Sequence, residues 1–80
     1  MKLPRDLRGD DLAKKLAIYG YIVTRQSGSH MRLTTQSEGE HHLTIPAYRS
    51  IPVDILDSVI GDVASHRKVK KSVIIDELFR

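Results

Sequence analysis

Apolar positions along the chain change their period several times, and each change marks an element. Leu12, Leu16 and Tyr19 recur at helical spacing, with Lys14 and Lys15 on the other side. Asp10 and Asp11 suit the positive end of a helix and Gly20 is a natural stop, so the spacing predicts a helix over residues 9–19. From Tyr21 the period becomes two. Tyr21 and Val23 alternate with Ile22 and Thr24, and Met31 and Leu33 alternate with His30 and Arg32. Strands are expected over 21–25, 29–35 and 41–46, with Gly28 supplying the positive φ that ends a three-residue hairpin loop and residues 36–40 forming a second, polar loop. Pro46 cannot donate to a ladder, so the third strand ends there or lies at an edge.

Helical spacing returns after Ser50-Ile51-Pro52, which opens a second helix with Pro52 in its first turn and Ile55, Leu56, Val59, Ile60 and Val63 as its apolar stripe. Gly61 costs up to ~1 kcal/mol relative to alanine in mid-helix and suggests a close contact. Residues 65–68 read as a basic linker. In the last segment Val73-Ile74-Ile75 is strand-like and Asp76-Glu77-Leu78-Phe79 helical, and it is taken as a short extra helix. The order α-β-β-β-α, plus that helix, predicts an α+β fold: a three-stranded antiparallel meander with the helices on one face.

The pleat assigns chemistry to the faces. With Met31 and Leu33 inward, His30 and Arg32 share the open face. Pairing Leu33 with Leu43 sets His30 opposite Pro46 and His42 opposite Thr34. His30 and His42 are then four residues apart, ~13 Å by strand rise, too far to act on one phosphate. Tyr48 falls on the His30 face if the chain stays extended beyond Pro46; there it can donate a proton, hold a phosphate or stack on a base, or simply cover the core. His41 and His42 point to opposite faces, and no cysteine or His-x-x-x-His spacing exists, so no metal site is expected. His66 reads as a helix C-terminal residue.

Eighty residues make one domain, residues 1–80. The net charge of +3 and a pI near 9.5 lean toward an acidic partner such as RNA, DNA or an acidic protein. Lys2, Arg5, Arg25 and Arg32 surround the histidine if the N-terminal arm lies near the first hairpin, while Arg67, Lys68, Lys70 and Lys71 form a second basic group. Aromatic residues are scarce, which argues against a base-stacking reader of the RRM or OB type. No apolar run is long enough to span a membrane and the N-terminus lacks the apolar core of a signal peptide, so a cytoplasmic protein is expected, with no membrane partner and no cofactor.

At Arg25-Gln26-Ser27-Gly28-Ser29-His30 the chain resembles the HicA toxins of HicA–HicB toxin–antitoxin pairs. The resemblance begins at Lys2-Leu3-Pro4-Arg5-Asp6-Leu7, continues through Gly9, Leu12, Leu16 and Gly20-Tyr21, and resumes at Thr44-Ile45-Pro46, Ile51 and Ile55-Leu56, over roughly three quarters of the chain. It implies a fold like a double-stranded RNA-binding domain, ribosome-independent cleavage of messenger RNA, His30 as the catalytic residue, and a heteromeric complex with a HicB-type antitoxin that neutralises the toxin. Arg25, Ser29, Arg32, Lys2, Arg5 and Tyr48 are the residues expected to contact RNA. The chain departs from the family at Tyr48, where a histidine is common, at Arg8, where a small capping residue is common, and in the basic stretch 67–71. The alternatives are a non-catalytic RNA-binding module or inactive homologue of the same fold, and an interaction domain held by an acidic protein.

Overall fold

A computed structural model describes residues 3–80, so Lys2 lies outside the described residues. Helix α1 (Gly9–Leu16) begins without a side-chain cap. Instead Arg8 Nε holds Asp10 Oδ1 at 3.1 Å, and the Gly9 N–H donates to the Tyr48 carbonyl at 2.9 Å. The Arg8 contact lowers the Asp10 carboxyl below its ordinary range and raises the guanidinium. A Cβ on Gly9 would lie 2.1 Å from the Pro46 carbonyl oxygen, so only glycine lets the helix start against the chain that leaves the sheet. A 3₁₀ turn, Ala17–Tyr19, completes the predicted helix to Gly20.

The sheet comprises β1 (Ile22–Ser27), β2 (His30–Thr35) and β3 (His41–Pro46), antiparallel with β2 in the centre. The first hairpin is tighter than expected. Strand β1 runs to Ser27, which pairs with His30, leaving Gly28 and Ser29 as a two-residue turn. Gly28 has φ +57° at the first central position, as a II′ turn requires. The β2–β3 register is the predicted one: Leu33 faces Leu43, His30 faces Pro46 and Thr34 faces His42. Met31, Leu33, Leu43 and Ile45 are buried, while His30, Arg32, His42 and Thr44 are exposed.

Strand β1 breaks the simple alternation. It is an edge strand whose six residues are all exposed, and Val23, although opposite the buried Leu33, is 46% exposed. Val23 lies opposite Leu33 and Arg25 opposite Arg32, so Thr24 is an extra residue, a β-bulge. Strict alternation from Tyr21 through Val23 would send Arg25 to the core side. The bulge reverses the parity and sets Arg25 on the open face.

Helix α2 (Val53–Arg67) starts one residue after Pro52, which sits at the N-cap position without a side-chain cap and not in the first turn as expected, and runs through most of the predicted linker, ending at Lys68 in the left-handed region. Its inward stripe is Leu56, Val59, Ile60, Val63 and Ala64; Ile55 lies at the rim, 36% exposed. Helix α3 (Lys71–Phe79) resolves the ambiguous segment, because Ile74 and Leu78 are buried in the common core. Tyr19 Oη donates to Glu77 at 2.6 Å, Lys15 Nζ donates to the Leu78 carbonyl at 3.2 Å, and Lys71 pairs with Asp57 at 2.9 Å. Gly61 has no close approach to explain it: an added Cβ would meet Lys71 Cδ at an ordinary 3.6 Å. Leu12 and Leu16 complete the core on the helical side of the sheet, leaving the other face bare. Among the described residues no helix is long and apolar enough to cross a membrane.

Candidate nucleic-acid interface

His30 is the first residue of β2, exposed beside the turn. The Ala47 N–H donates to the Ser29 carbonyl at 2.6 Å, so the ladder continues past Pro46. Hydrogen-bonded and non-bonded pairs alternate in an antiparallel ladder, which makes His30–Pro46 a non-bonded pair with side chains close together. The proline nitrogen then points away from β2, where no donor is needed.

Arg32 lies two residues along β2 on the same face, and Arg25 is directly across from it. Like charges opposed in a sheet are destabilising. Among the described residues the ion pairs are Arg8–Asp10, His42–Glu40, Lys71–Asp57 and Arg80–Asp76, and neither arginine takes part. Two uncompensated guanidiniums beside an imidazole suit a phosphate, whose oxygens accept from planar N–H groups.

Three other expected residues are exposed. Ser29 is exposed in the turn itself. Tyr48, 42% exposed, follows the end of β3 by two residues, and its carbonyl accepts from the Gly9 N–H. Arg5 is exposed in the arm before α1, which lies along residues 48–51: the Ile51 N–H donates to the Leu7 carbonyl at 2.8 Å and Ser50 Oγ donates to Asp6 Oδ1 at 3.4 Å.

Farther along the open face a polar chain crosses the strands, and sequence reasoning missed most of it. Thr24 Oγ1 donates to the Arg32 carbonyl at 3.3 Å and bonds Thr34 Oγ1 at 2.9 Å. Thr34 Oγ1 bonds His42 Nδ1 at 2.8 Å, and His42 Nε2 bonds Glu40 at 2.9 Å. The Glu40 carboxylate can only accept, so the His42 Nε2–H donates to it. Spacing pointed to His42 beside Thr34, and alternation leaves Thr24 on the same face of β1; the bonds that join the three appear only in the fold.

The remaining histidines lie on the helical side. Tyr21 Oη bonds His41 Nδ1 at 2.8 Å, the rings of His41 and His66 stack with centroids 4.4 Å apart, and His66 Nε2 bonds the Ser37 carbonyl at 3.0 Å. Burial first, and the neighbouring His66 second, lower the His41 pKa below its ordinary value; burial raises that of Tyr21. Arg67 lies over the Tyr19 ring, 4.6 Å from its centroid, and Lys71 is paired with Asp57, so two of the four residues of the second basic group are committed to packing and an ion pair. Burial and the Glu77 contact push the Tyr19 hydroxyl up.

Among the described residues no group of three or more His, Cys, Asp or Glu converges as a metal site would, and no pocket is present. The candidate site is an open surface. Compared with known proteins, the chain matches no family model, no curated protein and no solved structure.

Proposed function

We propose that this protein is a toxin endoribonuclease of the HicA type, cleaving messenger RNA at the face that carries His30 and neutralised by a HicB-type partner. The observation that carries the reading is the grouping of an exposed histidine with Arg32 and Arg25 on one uncovered sheet face, beside the Arg-Gln-x-Gly-Ser-His turn. The order α-β-β-β-α with a bare sheet face suits a fold like a double-stranded RNA-binding domain.

The reaction is transesterification. The ribose 2′-oxygen loses its proton to a base and bonds the adjacent phosphorus; the bond to the 5′ oxygen breaks, and that oxygen takes a proton. The products are a 2′,3′-cyclic phosphate and a 5′-hydroxyl. An imidazole is the side chain suited to such transfers near neutral pH, and His30 serves one of them. Tyr48 or water serves the other. Arg32 and Arg25 offset the charge that grows on the phosphate oxygens. A HicB-type partner that places carboxylates on these arginines would exclude RNA from the same face.

The test is incubation of the purified protein with a long unstructured RNA in EDTA, beside DNA of the same sequence and a His30→Ala control. Cleavage of RNA alone, with cyclic-phosphate ends and none from the control, is expected. Equal cutting by the control, cutting of DNA, or no cutting at all would overturn the proposal.

A further inference from the structure

We infer that Thr44 is a further substrate-contacting residue of this face, its hydroxyl donating to a non-bridging oxygen of the phosphate that Arg32 holds beside His30. The inference rests on the nuclease reading above and adds a neutral donor to the site. Thr44 stands in β3 between the buried Leu43 and Ile45, so its side chain is on the open face, and it is exposed. It faces Arg32, which in turn faces Arg25, so the three form one row across the sheet. The ladder bond between Ser29 and Ala47 fixes the kind of each pair along β2 and β3. His30–Pro46, Arg32–Thr44 and Thr34–His42 are all non-bonded pairs, in which side chains stand closest. The last of them shows the reach: Thr34 Oγ1 and His42 Nδ1 are 2.8 Å apart. Thr44 is also diagonal to His30, ~7 Å away, and a phosphate between them is within hydrogen-bond reach of both.

The hydroxyl is free to donate. Thr24 and Thr34 are bonded along the open face, and Thr35 is bonded in the core. Among the described residues the Thr44 hydroxyl has no such partner, and Arg32 across from it offers no acceptor. An anion seated over Arg32 supplies that acceptor. A donor already in place needs no reorganisation as charge grows on the phosphate oxygen. No bond forms or breaks at Thr44, and its proton stays on the hydroxyl.

The experiment compares wild type, Thr44→Val and Thr44→Ser in single-turnover cleavage of a short RNA spanning one mapped junction. Valine keeps the shape and the strand preference without the hydroxyl, so the urea-unfolding midpoint should hold. The rate should fall about ten- to a hundredfold in Thr44→Val, the effect of one hydrogen bond to a charged group, and recover most of the way in Thr44→Ser. Sulfur in place of the contacted non-bridging oxygen should slow the wild type more than Thr44→Val. The salt dependence should match the wild type, because no charge is lost. Equal rates for wild type and valine, a loss that serine shares, or equal sulfur effects in wild type and valine would overturn the contact and leave the nuclease reading standing. If no RNA is cut, fluorescence anisotropy with a labelled 2′-fluoro oligonucleotide, which lacks the attacking hydroxyl, decides. About tenfold weaker binding by Thr44→Val then supports the contact and sinks the nuclease reading, whereas equal binding, or none by either protein, overturns both.

Discussion

The two ends of the sheet use histidine in opposite ways. At the hairpin turn His30 stands exposed, outside the hydrogen-bond network of the face, with two arginines nearby that have no acidic partner among the described residues. At the other end His42 is bonded to Thr34 and Glu40 on the open face, and His41 and His66 are bonded and stacked on the helical side, where Tyr21 is buried. A side chain with every polar atom engaged holds structure together. One left open on a charged face is accessible to a ligand, as the proposed nuclease reading requires.

The sharpest way to break this contrast is His30→Ala. Loss of a general acid or base is expected to lower RNA cleavage by ~10²–10⁴, while an exposed residue costs under about 0.5 kcal/mol of stability. Rate and urea-unfolding midpoint measured on the same preparation check both halves. Thr35→Val should do the reverse. Thr35 Oγ1 donates to the Tyr19 carbonyl at 2.8 Å in the core and accepts from the half-buried Ser37 N–H at 3.0 Å. Stranding those partners should cost about 1–3 kcal/mol in urea unfolding, with little change in the cleavage rate of the folded protein.

Arg32→Glu tests the charge at the turn end. RNA affinity should fall about tenfold or more, and the dependence of log affinity on log salt should flatten by about one contact's worth. A HicB-type partner should associate more slowly, most of all at low salt. Unchanged affinity for both ligands would remove the arginine pair from the site.

Gly61→Ala probes neither end and serves as the control. The space for a methyl group is present, so the helix should gain ~0.5–1 kcal/mol, read as a higher melting temperature with unchanged RNA binding. The smallest effect is one of pH. The His41 pKa is lowered in the fold, so the unfolded chain takes up the proton first. The stability His41 contributes is complete above the ordinary histidine value near 6.5 and is lost as pH falls from there through the folded value. A melting temperature that drops below pH 6.5 in the wild type, and drops less in His41→Gln, is the expected result.

Most of the frame was legible because it rests on periods. The β2–β3 register followed from matching Leu33 with Leu43, since a one-residue slip would turn every apolar side chain outward. That register put His30 and Arg32 together, and their residue types carried the rest of the reading. The terminal helix was harder, because Val73-Ile74-Ile75 satisfies either period. Contacts from Tyr19, Lys15 and Asp57, all distant in sequence, accompany the helical choice.

By itself, then, the sequence determined the element order, the inward set of β2 and β3, and the open-face position of His30, because each depends only on local spacing. Tertiary structure decided the rest. The bulge at Thr24 arises in the pairing of β1 with β2 and turns Arg25 to the open face, a reversal that alternation cannot reveal. The stacking of His41 on His66 joins residues from a strand and the end of a helix, and the packing of Arg67 on Tyr19 joins the end of α2 to the 3₁₀ turn before the sheet. Which histidine is left open depends on which partners the fold brings to the other three, and those contacts exist only once the core has closed.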